Sequence, residues 1–367
     1  MQFKVIPEYK ELLFNDFKNG VIVGVHRKWK KRRLYAPKHS KTYNLKGKNI
    51  YYNFYNDPFY YKSYPFTGGY GNYNLYYCHC KYKDDYILVQ LQHSTISNLT
   101  PDEFYQNTLI FLESIGIGLD LLELENKLNR IDYKHDYECE YNPIAEKQAI
   151  MCICSIARMS FNGVYKESLK IGTGIKYKPK SSAIEVIVYD KYKEKQDKYR
   201  HRTKSSHIEL EILNYENVFR TELRLKNKRL NYNKKNTLHI NKTLNNYYSE
   251  NISDECFKRY VEPIFYTEAF YRIDYAILAI QSDRRLTEVE VEKLCNLVKE
   301  INNKGFTIAK IQYKYSEDTF NKHIKLLRSI GINPLCFDEN IEIPFLLNFT
   351  TKEVSRDFKS NIEDCQY

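Results

Sequence analysis

The sequence predicts an α+β fold. A largely antiparallel sheet region with flanking helices is expected over about residues 1–245. A mainly helical, winged-helix-like domain is expected over residues 246–367. Three observations lead there. Apolar residues recur with period two in several short segments bounded by polar turn signals, the pattern of half-buried strands. The connections between these segments are too short for parallel crossovers, which favours antiparallel pairing. After about residue 245 the apolar period lengthens to that of amphipathic helices. With 367 residues, 43% of them apolar and 28% charged, the chain has ample material for two or three globular domains.

Residues 1–100 read as strands and turns. "GVIVGVHRKW" (20–29) is β-rich, "TGGYGN" (67–72) is turn chemistry, and "YCHCKYKDDYILVQLQH" (77–93) reads as two strands joined at Asp84–Asp85. "LTPDEFYQNTLIFLESIG" (99–116) is punctuated as a helix, with Thr100 as N-cap, Pro101 as first helical residue, Glu103 as capping-box partner and Gly116 as stop. "NRIDYKHDYE" (129–138) returns to alternation, and "PIAEKQAIMCICSIARM" (143–159) predicts a second helix. "GIKYKPKSSAIEVIVYDK" (174–191) predicts a hairpin, and "HIELEILNYENVFRTELRLK" (207–226) contains one more strand. In the C-terminal region "LTEVEVEKLCNLVKEINNKG" (286–305) is an amphipathic helix stopped by Gly305. "YSEDTFNKHIKLLRSIGI" (315–332) has Ser316 as N-cap and an apolar stripe of Phe320, Ile324 and Leu327. It reads as the second helix of a helix-turn-helix or winged-helix unit, with Asn321, Lys322, Lys325 and Arg328 on its remaining surface to meet DNA.

Lys and Arg number 57 against 46 Asp and Glu, so the formal net charge is +11 and a polyanionic partner is expected, most often nucleic acid. The charge is clustered. "HRKWKKRRLY" (26–35) sets Arg27, Lys28, Lys30, Lys31, Arg32 and Arg33 around Trp29, the only tryptophan. Further basic runs follow Tyr189 and Glu222. No segment reaches the length of an apolar membrane span, and the first residues lack a signal-peptide core, so a soluble, cytoplasmic protein with no membrane partner is expected. The close cysteine pairs at 78/80 and 152/154 lack zinc-site spacing and read as buried thiols. Much of the tyrosine content, 35 residues, follows from an AT-rich codon vocabulary rather than from function.

Strand parity picks out one constellation. In "IEVIVYDKYKEK" (184–195), Ile184, Val186 and Val188 share a face, opposite Glu185, Ile187, Tyr189 and Lys191. In "RIDYKHD", Arg130, Asp132, Lys134 and Asp136 share a face; in "FRTELRL", Arg220, Glu222 and Arg224 do. If the three strands are neighbours, Asp132, Asp136, Glu222 and Tyr189 converge. Such carboxylates suit a hard cation, Mg²⁺ or Mn²⁺, able to polarise a phosphate. A tyrosine needs that help or a base to attack as phenolate, and Lys191 and Arg220 are placed to lower its pKa or hold the phosphate. The competing reading is a solvent-facing sheet of cross-strand salt bridges.

These segments, "RIDYKHDYE", "EVIVYDKYKEK" and "VFRTELRLK", resemble in order and spacing the R-[IL]-D-x-x-x-D, [IV]-x-[IV]-Y-[DN]-K-x-x-E and R-x-E-[LI]-x-L motifs of rolling-circle replication initiators of Gram-positive plasmids and phages, a group related to relaxases. The resemblance covers roughly residues 129 to 226. It implies a metal-dependent endonuclease that nicks one origin strand through Tyr189, with a covalent 5′-phosphotyrosine and a free 3′-OH. It places metal-binding acids at Asp132 and Glu222, with Asp136 or Glu194 beside them. Origin DNA, as duplex and exposed strand, is the implied partner, with host helicase and polymerase following and a homodimer allowed for. The chain lacks the H-x-H pair of histidine-dependent initiators. Three other functions compete: a relaxase of a mobile element, a non-catalytic DNA-binding regulator, and an RNA-binding protein stacking bases on the tyrosines of "NIYYNFYNDPFYYKSY" (49–64).

Overall fold

The structure, a computed structural model, describes residues 2–9, 41–45, 48–53, 59–65, 72–78, 86–92, 101–114, 118–157, 164–168, 174–179, 183–199 and 212–351. It is α+β with antiparallel sheet. The chain forms two compact units, Met1–Arg130 with Leu230–Glu250, and Ile131–Arg229 with Asn251–Tyr367. This partition differs from a single cut at 245/246, because the C-terminal helices share a unit with the motif-bearing strands.

In the first unit, β1 (Gln2–Val5), β2 (Lys41–Leu45), β3 (Lys48–Asn53), β4 (Phe59–Pro65), β5 (Asn72–Cys78), β6 (Tyr86–Gln92) and β7 (Leu122–Lys127) form one sheet in the order β2-β3-β4-β5-β6-β1-β7. Every pairing in it is antiparallel. The alternation of β1 buries Phe3 and Val5. Helix α1 (Pro101–Ser114) starts at the expected proline; Thr100 and Gly116 lie outside the described residues. So do residues 20–29 and most of the expected turn at 67–72.

The second unit holds β8 (Arg130–Glu138), α2 (Pro143–Ile156), β9 (Val164–Ser168), β10 (Gly174–Pro179), β11 (Ile184–Asp190), α3 (Lys191–Tyr199) and β12 (Val218–Lys226). Their sheet order is β8-β12-β11-β10-β9. The expected hairpin is β10–β11, antiparallel, with Gly174 opposite Tyr189. Because β11 is the central strand it is buried on both faces over its whole length, not only at Ile184, Val186 and Val188. Helix α2 begins at Pro143, where Asn142 Oδ1 accepts the Ala145 amide at 3.2 Å. The buried Glu146 then accepts the amides of Tyr141 and Asn142 and the hydroxyl of Tyr137.

The C-terminal segment adds α4 (Glu250–Tyr260), β13 (Phe270–Tyr271), α5 (Ile273–Ser282), α6 (Glu288–Lys304), α7 (Phe306–Ile311), α8 (Glu317–Ser329) and β14 (Phe345–Leu346). Thr287 and Glu290 close a capping box on α6, and Gly305 ends it with φ +77°, a conformation that favours glycine. Helix α6 packs on α2, and a side chain at Gly305 would meet the Ile156 backbone. Ser316 caps α8, whose stripe of Phe320, Ile324 and Leu327 is buried. A two-helix unit joined by a tight turn is not what forms: α7 stands between α6 and α8, and the local strand pair is β13 with β14, two residues each.

Candidate active site

The β11–β12 ladder assembles the site. Tyr189 stands opposite Arg220, Ile187 opposite Glu222, and Glu185 opposite Arg224. Opposed residues of an antiparallel pair share a face, so Glu185, Tyr189, Arg220, Glu222 and Arg224 are brought together. Strand β8, on the other side of β12, adds Asp132 and Asp136. The predicted convergence of the three motifs is therefore present.

Tyr189 Oη donates to Glu222 Oε1 at 2.6 Å. Arg220, buried, forks onto Asp136 with Nε–Oδ1 2.5 Å and Nη2–Oδ2 2.6 Å. Arg224 reaches Asp132 Oδ2 at 3.0 Å, Glu185 Oε2 at 2.9 Å and Glu222 Oε2 at 3.6 Å. Lys226 also pairs with Glu185 at 2.5 Å. These are charge-assisted contacts, shorter and stronger than neutral ones.

Lys191 reaches the site by a route that alternation does not predict. The strand stops at Asp190, whose carboxylate accepts the Lys193 amide at 3.1 Å and so caps a new helix. Lys191 is the first residue of α3, and its Nζ lies 3.5 Å from Tyr189 Oη and 2.7 Å from Glu194 Oε2. The aspartate of Tyr-Asp-Lys is thus a structural residue, buried and held 3.6 Å from Lys147 Nζ. Tyr192 lies in the first turn of α3, half-buried, with Lys147 6.0 Å from its ring centre.

Electrostatics follow from this packing. Burial raises the Tyr189 pKa, and the charge and hydrogen bond of Glu222 raise it further, against the opposing pull of Arg220. The phenol is protonated at neutral pH, with a carboxylate oxygen ready to receive its proton. Burial and then the neighbouring Arg220 lower the pKa of Lys191. They lower that of Lys134 as well. Burial pushes the Asp136 carboxyl up, but the Arg220 fork, with Lys134 and Lys191, outweighs it and holds the pKa below the usual value.

The oxygens expected to hold Mg²⁺ or Mn²⁺ are engaged in this arrangement. Asp136 is filled by Arg220, Asp132 and Glu222 face Arg224, and Glu194 faces Lys191. Among the described residues no three acidic, histidine or cysteine side chains are grouped to hold a metal ion. The donor set as it stands does not fit the metal, and the positive charge beside Tyr189 comes from Lys191 and Arg220.

Of the expected DNA-binding residues, Arg27, Lys28, Lys30, Lys31, Arg32 and Arg33 lie outside the described residues. Asn321, Lys322 and Lys325 are exposed on α8. Arg328 is instead built into the fold: its Nε donates to both Glu268 oxygens at 2.8 and 3.0 Å, and its guanidinium lies 5.0 Å from the Tyr266 ring centre. Glu185 and Arg224 belong to the cluster although neither is a predicted site residue; their strand parity was the available signal. Tyr215 also belongs, and no periodic pattern marks it, because it sits in the turn before β12.

Among the described residues no helix is long and apolar enough to cross a membrane. No protein-family model matches the chain, and no curated protein matches it.

Proposed function

We propose that the protein is a DNA strand transferase that nicks one strand of a replication origin and begins rolling-circle replication. The observation that carries this reading is the Tyr189 hydroxyl, hydrogen-bonded to a carboxylate at 2.6 Å and flanked by Lys191 and Arg220, assembled from two separate sequence motifs. Tyr189 Oη attacks phosphorus as its proton passes to Glu222. Lys191 and Arg220 offset the negative charge that spreads over the non-bridging oxygens. The P–O3′ bond breaks, the departing 3′ oxygen takes a proton from water, and the strand's 5′-phosphate remains joined to Tyr189. The phosphodiester energy is conserved, so resealing needs no ATP. A relaxase would share this chemistry.

The test is incubation with supercoiled DNA carrying the region around the chain's own gene. The expected product is an open circle with a polymerase-extendable 3′-OH and a protein-blocked 5′ end. Binding without nicking would instead support the regulator reading. Repeating the reaction in Mg²⁺, Mn²⁺ or EDTA separates two sources of positive charge. A metal requirement would place the ion at Asp132 and Glu222, as the resemblance implies; nicking in EDTA would leave the task to the arginines and lysine.

Duplex recognition is assigned to α8 as a DNA-contacting helix, supported by the exposure of Asn321, Lys322 and Lys325. Removing Lys322 and Lys325 together by alanine substitution should weaken duplex binding. If each touches one phosphate, the slope of log affinity against log salt should become shallower by about 0.9 per lysine. Equilibrium titrations across a salt series check this, and an unchanged slope would remove α8 from the interface.

A further inference from the structure

The ring of Tyr215 is surrounded by cations. Lys191 Nζ lies 5.8 Å from its centre, Lys195 Nζ 5.3 Å and the Arg220 guanidinium carbon 5.7 Å. All three cations are buried, at 7%, 3% and 4% exposure. Gathering three like charges at one place is costly unless something negative faces each of them. Glu194 meets Lys191 and Asp136 meets Arg220, but these acids stand on α3 and β8, while the ring is the element common to all three cations. An aromatic ring carries negative charge on its faces, and in a desolvated setting it attracts ammonium and guanidinium groups strongly. Lys191 also lies 5.4 Å from the Tyr189 ring centre, so the same ammonium bridges Tyr215 to the proposed nucleophile.

Tyr215 itself is placed by the turn that leads into β12, where its carbonyl accepts the Val218 amide at 3.0 Å and its amide donates to Ile212 O at 3.1 Å. Its position is thus fixed by the backbone that also presents Arg220.

We propose that Tyr215 is a positioning residue for phosphoryl transfer: its ring holds Lys191 and Arg220, with Lys195 behind them, as a cationic seat for the phosphodiester attacked by Tyr189. The inference rests on the reading of Tyr189 as nucleophile. It acts through the cations rather than on the substrate, so the electron density of the ring is the quantity that matters.

The experiment replaces Tyr215 in the full chain with phenylalanine and then with mono-, di- and trifluorophenylalanine by site-specific incorporation. Fluorine drains the ring faces while nearly preserving shape. The single-turnover rate of covalent adduct formation is measured on a single-stranded oligonucleotide spanning the nick, with oligonucleotide affinity and Tm followed in parallel. The rate is expected to fall stepwise with each fluorine, by about tenfold across the series, the order of a desolvated cation–π contact. Affinity should change little, and Tm should fall only by the few degrees that weakening one such contact costs. A flat rate, or a rate that falls only in step with Tm, overturns the proposal and leaves Tyr215 as packing. If the unmodified protein forms no adduct, the nucleophile reading fails first and this inference falls with it.

Discussion

Tyr189→Phe is expected to abolish nicking of supercoiled DNA and adduct formation, a loss on the order of 10⁴-fold or more, as when an essential nucleophile is removed from other enzymes. The fold should survive. The substitution deletes one oxygen from a side chain already buried at 7% exposure and creates no cavity of consequence. It removes the 2.6 Å hydrogen bond to Glu222, a contribution of about 1.5–3 kcal/mol for a bond to a charged group. Glu222 keeps Arg224 as a neighbour at 3.6 Å. Duplex binding, proposed to rest on lysines and arginines elsewhere, should be retained. Gel-based nicking assays and denaturation curves on the same preparation separate loss of chemistry from loss of fold. Nicking at the native rate would remove Tyr189 from the reaction.

The second large effect is on stability. Asp136→Ala strands the Arg220 guanidinium, which is only 4% exposed and loses both arms of its fork. Breaking a buried pair from one side typically costs about 3–5 kcal/mol. Because the Asp136 side chain is 35% exposed and water can partly take its place, about 3 kcal/mol is expected, read from chemical denaturation at neutral pH. The pH dependence has a definite sign. The folded state holds the Asp136 pKa below its unfolded value, so its contribution is present above about pH 4 and is lost as pH falls through the depressed pKa. The gap in stability between the native chain and Asp136→Asn should therefore be widest near neutrality and narrow on acidification. A gap independent of pH would show that the pair does not titrate as the geometry requires.

Much of this site was legible in the chain before its structure. Period-two alternation puts Asp132 with Asp136, and Arg220 with Glu222 and Arg224, on common faces, and β8, β11 and β12 form where those patterns lie. The capping signals were equally direct: Pro101, Ser316 and Gly305 all bound helices. Alternation does not say which strands are neighbours. That Arg224 would bridge acids of β8 and β11 depends on β12 lying between them, which is a matter of topology. Parity also misplaced Lys191. It has the right spacing to continue the strand, but Asp190 can cap a helix as readily as it can sit in a ladder, and the cap prevails. Tyr215 was invisible for a related reason, since a turn residue has no periodic partners. In the C-terminal segment the α6 and α8 patterns were readable. The short α7 between them was not, because six residues carry too little periodicity to separate from a loop.

Tyr189, rather than any of the other tyrosines of the chain, is the residue proposed to become bonded to DNA. Digesting the trapped protein–DNA adduct with trypsin and nuclease and locating the nucleotide-bearing residue by mass spectrometry tests this most directly. The modified peptide should carry the nucleotide on Tyr189, and Tyr192→Phe should leave the adduct in place. A nucleotide found on Tyr192 or on any other residue would contradict the assignment.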